Sequence, residues 1–124
     1  MQTLYERLGP AAFEQLARVF YEGVKQDELL KPMYPEEDLG PAERRLRMFL
    51  EQYWGGPDTY QQERGHPRLR MRHFPFKIGP SAREAWLRHM RDAVDSLELS
   101  PLDDAELWSY LERAAHAMLN SMDD

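Results

Sequence analysis

The chain has no cysteine, which excludes disulfides, thiolate metal sites and a cysteine nucleophile, and leaves the redox character of its compartment open. It has no run approaching the roughly 20 apolar residues of a membrane helix. Its first residues, Met1-Gln2-Thr3-Leu4-Tyr5-Glu6-Arg7, lack the basic start and apolar run of a leader. The expectation is a cytoplasmic protein with no integral membrane part. No Walker loop, zincin helix, EF-hand loop or glycine-rich dinucleotide fingerprint occurs. The Glu-x-x-His pairs of a carboxylate-bridged di-metal bundle are missing as well: Glu112 and His116 are one residue too far apart, and no glutamate stands three before His89. Basic side chains are outnumbered 16 to 22, giving a net charge of -6. That balance argues against a general affinity for nucleic acid or anionic lipid. Asparagine occurs once, at Asn120.

What the chain does hold is apolar residues at helical spacing. Its 124 residues suffice to bury a core as a single domain, residues 1–124. Residues 3–8 make a short helical turn ended by Gly9-Pro10, and Pro10 suits the first position of a new helix because its missing N–H is not needed there. Phe13, Leu16, Ala17, Phe20 and Val24, with Tyr21 at the edge, predict a helix over about residues 10–26. Gly40-Pro41 opens a second, whose stripe is Ala42, Leu46, Phe49, Leu50 and Tyr53. Gly55-Gly56-Pro57 should end it, two glycines supplying left-handed backbone and the proline forbidding continuation. Ser81 with Glu84, and Asp103 with Glu106, have capping-box spacing and predict where two further helices begin. Their stripes run Trp86, Leu87, Met90, Ala93, Val94, Leu97, and Leu107, Trp108, Leu111, Ala114, Ala115, Met118, Leu119, Met122. With no alternating strand pattern and no repeat, the class is all-α. From Pro57 to Pro80 no long helical pattern survives. A structureless stretch of that length in a compact domain is usually functional or folded around something.

Inside that stretch lies Arg68-Leu69-Arg70-Met71-Arg72-His73-Phe74-Pro75-Phe76. His66 precedes a proline in a polar loop, and His89 and His116 sit near apolar stripes, where surface or edge-of-core roles are expected. His73 differs because Met71, Phe74 and Phe76 surround it with apolar groups, and a neutral imidazole in an apolar slot is what a haem iron takes as axial ligand. Between Arg64 and Lys77 there are five cationic side chains and no acidic one. Three readings remain open for them: a solvated loop, a weak nucleic-acid patch, or arginines that receive carboxylates. Tyr21, Tyr34 and Trp86 are polar aromatics at core-facing places. Each alone suits packing; together they can line a polar pocket.

With Phe20-Tyr21, Met33-Tyr34-Pro35-Glu36, the run 43–57 (ERRLRMFLEQYWGGP), Arg64-Gly65-His66-Pro67 through Pro75-Phe76, and Ala85-Trp86-Leu87 in view, the chain resembles the group II, or O type, truncated haemoglobins from about Leu4 to Met118. The resemblance implies a shortened globin fold, a two-over-two antiparallel helical sandwich around haem b (iron protoporphyrin IX), in which the segment before the proximal histidine is largely loop. Carried onto matching residues, it implies His73 as the iron ligand, with Met71 and Phe76 beside it. Tyr21, Tyr34 and Trp86 become the distal residues that act on the ligand. Ala42 stands where many globins keep a distal histidine, and Leu46, Phe49 and Leu50 match pocket positions. Arg45 and Arg72 are the candidates for the haem carboxylates, with Tyr60 and Arg68 behind them. Gly9-Pro10 departs from the paired glycines many relatives show at that turn.

The implied activity is reversible binding of oxygen and other diatomic gases, nitric oxide and carbon monoxide among them. Donors aimed at a ligand that gains negative charge are worth about 1.5 to 3 kcal/mol each. Two of them would slow oxygen release by roughly a hundredfold or more, at about 1.4 kcal/mol per factor of ten. Slow release suits redox chemistry, such as nitric oxide oxidation or peroxide turnover with an electron donor, better than oxygen storage. Two rival readings stand beside it: a haem-based oxygen sensor, for which no output segment is visible, and a small helical nucleic-acid-binding protein using residues 64–77. A homodimer is open, although no stripe shows a spare apolar face.

Overall fold

The computed structural model describes residues 2–123, and among these the secondary structure is helical throughout. In chain order the helices are α1 (Leu4–Leu8), α2 (Pro10–Val24), α3 (Gly40–Tyr53), α4 (Thr59–Arg64), α5 (Leu69–His73), α6 (Pro80–Asp95) and α7 (Pro101–Met118), with one 3-10 turn at Lys31–Met33. Helix α2 packs on both α3 and α6, and α7 packs on α6. The two long pairs, α2 with α3 and α6 with α7, thus form two layers that meet through α2 and α6.

The apolar stripes explain this packing. Phe13, Leu16, Phe20 and Val24 of α2 join Met90, Ala93 and Val94 of α6 and Leu107 and Leu111 of α7 in one buried cluster, and Ala17 is buried as well. Helix starts were harder to place from sequence than helix faces. Proline stands at the first or second position of four helices: α2 begins at Pro10, α3 has Pro41 second, α6 begins at Pro80 with Gly79 as its cap, and α7 begins at Pro101 with Ser100 as its cap, accepting from the amide of Asp103. Neither Ser81 nor Asp103 therefore caps a helix. Both lie inside the first turn, because a proline is best accommodated where no N–H is required. Asp103 and Glu106 instead pair with Arg7 of α1, at 3.2 and 2.6 Å. Among the described residues the one capping box that forms is Thr3 with Glu6, at the start of α1.

Three further expectations change. The end of α2 comes at Val24, earlier than residue 26. Leu119 ends α7 in extended backbone, and Met122, 90% exposed, lies beyond it rather than on its stripe. Of the two glycines after α3, Gly55 alone has left-handed backbone, at φ 96°. Gly56 is required for a different reason, since a Cβ there would meet the Tyr5 ring and the Glu51 carbonyl. The stretch 57–80 is not structureless either: it holds α4 and α5, both too short for apolar periodicity to reveal.

Candidate functional site

His73 is the last residue of α5, on a helix of five residues that needs outside support to exist. Its imidazole Nδ1 lies 2.6 Å from the carbonyl oxygen of Leu69. A carbonyl can only accept, so Nδ1 carries the proton and donates, and in the neutral ring Nε2 is left with its lone pair. A second bond that fixes the tautomer and orientation is what a metal-binding histidine requires. No group of three or more His, Asp or Glu side chains that could hold a metal occurs among the described residues. A prosthetic group that brings its own ligands to the metal, as haem does, would need only His73 from the chain.

The segment carrying His73 is held by its own backbone acceptors. The Arg72 guanidinium donates through Nε to the Pro67 carbonyl at 2.7 Å and through Nη2 to those of Arg64 and His66, at 2.9 and 3.3 Å. Arg68, the cap of α5, has φ 43°, a left-handed conformation costly for a residue with a Cβ. Its amide donates to Nδ1 of His66 at 3.1 Å, which gives that histidine a structural role. Arg72, expected at a haem carboxylate, thus spends Nε and Nη2 on the loop and keeps Nη1 uncommitted. Both Arg64 and Arg72 also lie over the ring of Tyr60, at 6.0 and 5.9 Å from its centroid. Tyr60 is buried and meets Phe49 edge-on at 5.8 Å. Arg68 is exposed, and so is Met71 at 59%. Met71 lines a cavity of about 400 Å³ with Phe74, Pro75 and Met118 against the end of α7.

The distal candidates come together from three elements. Tyr21 on α2 is buried, and its hydroxyl donates to that of Tyr34 at 3.4 Å. Tyr34 follows the 3-10 turn in extended backbone. The two rings meet edge-on at 5.6 Å. Trp86 on α6 joins them through Phe20, whose ring is 5.4 Å from the indole and 4.9 Å from Tyr21. The Trp86 indole N–H makes no hydrogen bond to another described residue. Burial pushes the Tyr21 hydroxyl well above the ordinary value of 10.0, and the neighbouring Tyr34 adds to that effect. Burial raises Tyr34 too, although the hydrogen bond from Tyr21 and the charge of Arg45 oppose it. Both therefore stay protonated donors at any physiological pH.

Along α3, Ala42 and Leu50 are buried while Leu46 and Phe49 sit half-buried at the edge of the same core. Arg45 bonds through Nη2 to Oε1 of Glu36 at 3.1 Å, and the other carboxylate oxygen of Glu36 is buried without a partner. Both charges act on the two tyrosines, so this pair borders the distal side. Glu36 was not singled out from sequence. Nor was Asn120, whose carboxamide reaches the turn after His73. Its standing as the one asparagine in the chain was the available signal. Phe76, half-buried, closes that turn by donating its amide to the His73 carbonyl at 3.0 Å. His89 bonds to Asp27 at 2.6 Å, an edge-of-core role as expected.

The residues present fit a haem. A histidine with Nε2 free for iron stands in a cationic segment, and a separate group of neutral O–H and N–H donors lies in apolar surroundings.

Comparison with known proteins agrees with this geometry. The family model described as bacterial-like globin matches residues 3–120. The chain is 43% identical to "Group 2 truncated hemoglobin YjbI" of Bacillus subtilis (strain 168), over 94% of this chain and 87% of that one. Among solved structures, a thermostable hemoglobin from the actinobacterium Thermobifida fusca superposes with a TM-score of 0.94 at 62% identity, covering 96% of this chain and 98% of the other. A truncated oxygen-avid haemoglobin from Bacillus subtilis superposes with a TM-score of 0.90 at 42% identity, covering 96% and 100%. With that much of its length and its fold in common with these proteins, the chain belongs to the bacterial-like globins, in the group 2 truncated haemoglobin branch with its two-over-two helical fold.

Proposed function

We propose that this chain binds haem b through Nε2 of His73 and holds oxygen tightly, so that it serves redox chemistry of diatomic ligands rather than oxygen storage. Haem supplies an iron that binds oxygen, nitric oxide or carbon monoxide and can change its oxidation state. The observation that carries the reading is the Nδ1–H bond from His73 to the Leu69 carbonyl. It sets the tautomer that leaves Nε2 to the metal.

The chain's own residues set the rest. Arg45 and the uncommitted Nη1 of Arg72 are the cations for the haem carboxylates, with Tyr60 and Arg68 behind them. Leu46, Phe49, Leu50 and Ala42 supply the apolar wall from α3, which keeps water from the distal side and strengthens each hydrogen bond made there. Tyr21 donates to Tyr34, which leaves the Tyr34 proton for an incoming ligand; the Trp86 N–H is a second free donor. Two aligned donors to a ligand that gains negative charge would slow its release by roughly a hundredfold, at about 1.4 kcal/mol per tenfold. The oxygen-avid relative named above supports slow release. The same donors can polarise an O–O bond in peroxide. A neutral imidazole pushes less electron density than a thiolate, so peroxide turnover should be modest. Nitric oxide oxidation suits the pocket better, with reducing equivalents from a separate electron donor.

An absorption spectrum tests this reading. The purified protein, reconstituted with haem, should show a Soret band that is lost or strongly shifted in His73→Ala. A protein that takes up no haem, or whose spectrum His73→Ala leaves unchanged, would overturn it.

A further inference from the structure

The side chain of Asn120 ties the turn that follows His73 to the far end of the chain. Leu119 leaves α7 in extended backbone, and the chain then runs along residues 76–78. The Asn120 amide donates to the Ile78 carbonyl at 3.0 Å, and that of Ser121 to the same oxygen at 3.2 Å. The Asn120 side chain adds bonds of both kinds. Its Oδ1 accepts from the Ile78 amide at 2.8 Å, while its Nδ2 donates to the Phe76 carbonyl at 2.8 Å and, more weakly, to the His73 carbonyl at 3.4 Å.

That last contact matters because His73 ends α5. The final carbonyls of a helix have no partner within it, and α5 is too short to stand by itself. The His73 carbonyl is taken up instead by the Phe76 amide and by Asn120. A carboxamide is suited to the place, since it offers donor and acceptor on one planar group. The two ends of His73 are then fixed separately: the ring by Leu69, one turn earlier, and the backbone by the far end of the chain.

We infer that Asn120 is a positioning residue for the iron ligand: by clamping the Phe76–Ile78 backbone and capping α5 at His73, it fixes how firmly and at what angle the imidazole meets the metal. The inference rests on the reading of His73 as that ligand. It makes the C-terminal tail a part of the proximal site.

Two variants test it, Asn120→Ala and Asn120→Asp. Aspartate keeps an acceptor for the Ile78 amide but sets an oxygen against the Phe76 and His73 carbonyls, so it separates the two halves of the clamp. In wild-type deoxy protein an iron–histidine stretching band is expected by resonance Raman. It should shift or broaden in both variants, with haem transfer to a high-affinity acceptor protein faster by up to about tenfold, the factor that one hydrogen bond of about 1.4 kcal/mol converts to. Amide exchange at Ile78 should accelerate in Asn120→Ala and stay near wild type in Asn120→Asp. A band and a transfer rate unchanged in both variants, whatever happens to thermal stability, would overturn the inference while leaving His73 as ligand. A wild-type protein with no His73-dependent band would overturn both readings together.

Discussion

The distal and proximal sides of this site are built by opposite means. Tyr21, Tyr34 and Trp86 are set by the packing of long helices, through Phe20, a residue with no exposed surface. His73 sits on five helical residues whose shape depends on side chains reaching backbone: Arg72 to three carbonyls, His66 to one amide, Asn120 to the turn beyond. Packing holds the donors in a dry, stiff frame. Backbone-directed hydrogen bonds hold the ligand on a segment that stays largely exposed. On the function proposed above, the difference divides the tasks: the core would act on a gas molecule, and the loop would hold the cofactor.

The strongest way to break the contrast is to remove its distal hub. Phe20→Ala should cost about 3 to 5 kcal/mol of stability, as large-to-small changes of a buried phenylalanine do, and should disorder Tyr21 and Trp86 together; denaturant unfolding and tryptophan fluorescence read the two effects. Arg72→Ala attacks the other side. It should cost less, about 1 to 2 kcal/mol for bonds at a half-exposed site, yet sharply increase amide exchange or proteolysis within residues 64–68 while tryptophan fluorescence stays unchanged. Equal disturbance of both sides by either variant would erase the distinction.

Much of the distal side could be read from the sequence because apolar periodicity reports on packing. Phe13, Leu16, Phe20 and Val24 fall on one face at helical spacing and are all buried, and this alone places Tyr21 beside them. The proximal side obeys no such period. Nothing in the order of residues says that Arg72 would fold back on Pro67, that Met71 would turn toward α7, or that Asn120 would cross 42 positions to reach Ile78. The starts at Pro10 and Gly40 were legible, but those of α6 and α7 failed for a related reason: serine and aspartate at capping-box spacing compete with proline, and Pro80 and Pro101 won because the residue before each was fixed as the cap. The Thr3 and Glu6 box was legible by the same spacing rule and was overlooked.

Smaller effects belong to neither side and serve as controls. A Cβ at Gly23 would overlap the ring of His89, so Gly23→Ala should lower stability by about 1 kcal/mol, a repacking cost partly offset by alanine's better helix propensity. The melting temperature should fall while the Soret position holds. The smallest effect concerns acid. Burial pushes the Asp27 carboxyl up, but hydrogen bonds from His89 and from the amides of Leu30 and Leu29 outweigh it and leave it below the ordinary 3.8. A lowered folded-state value gives stability that is present above the unfolded value and disappears as pH falls through the folded one. Asp27→Asn should thus be slightly less stable than wild type at neutral pH, with the difference closing and acid unfolding less steep below about pH 4.

The central claim is that distal donors govern ligand release and proximal bonds govern cofactor retention. Stopped-flow oxygen dissociation, measured beside haem transfer in Tyr21→Phe and Trp86→Phe, tests it most directly. The expected result is oxygen release faster by about tenfold or more in at least one of the two, with haem transfer as in wild type. Oxygen dissociation unchanged in both variants, or haem transfer accelerated along with it, would contradict the claim.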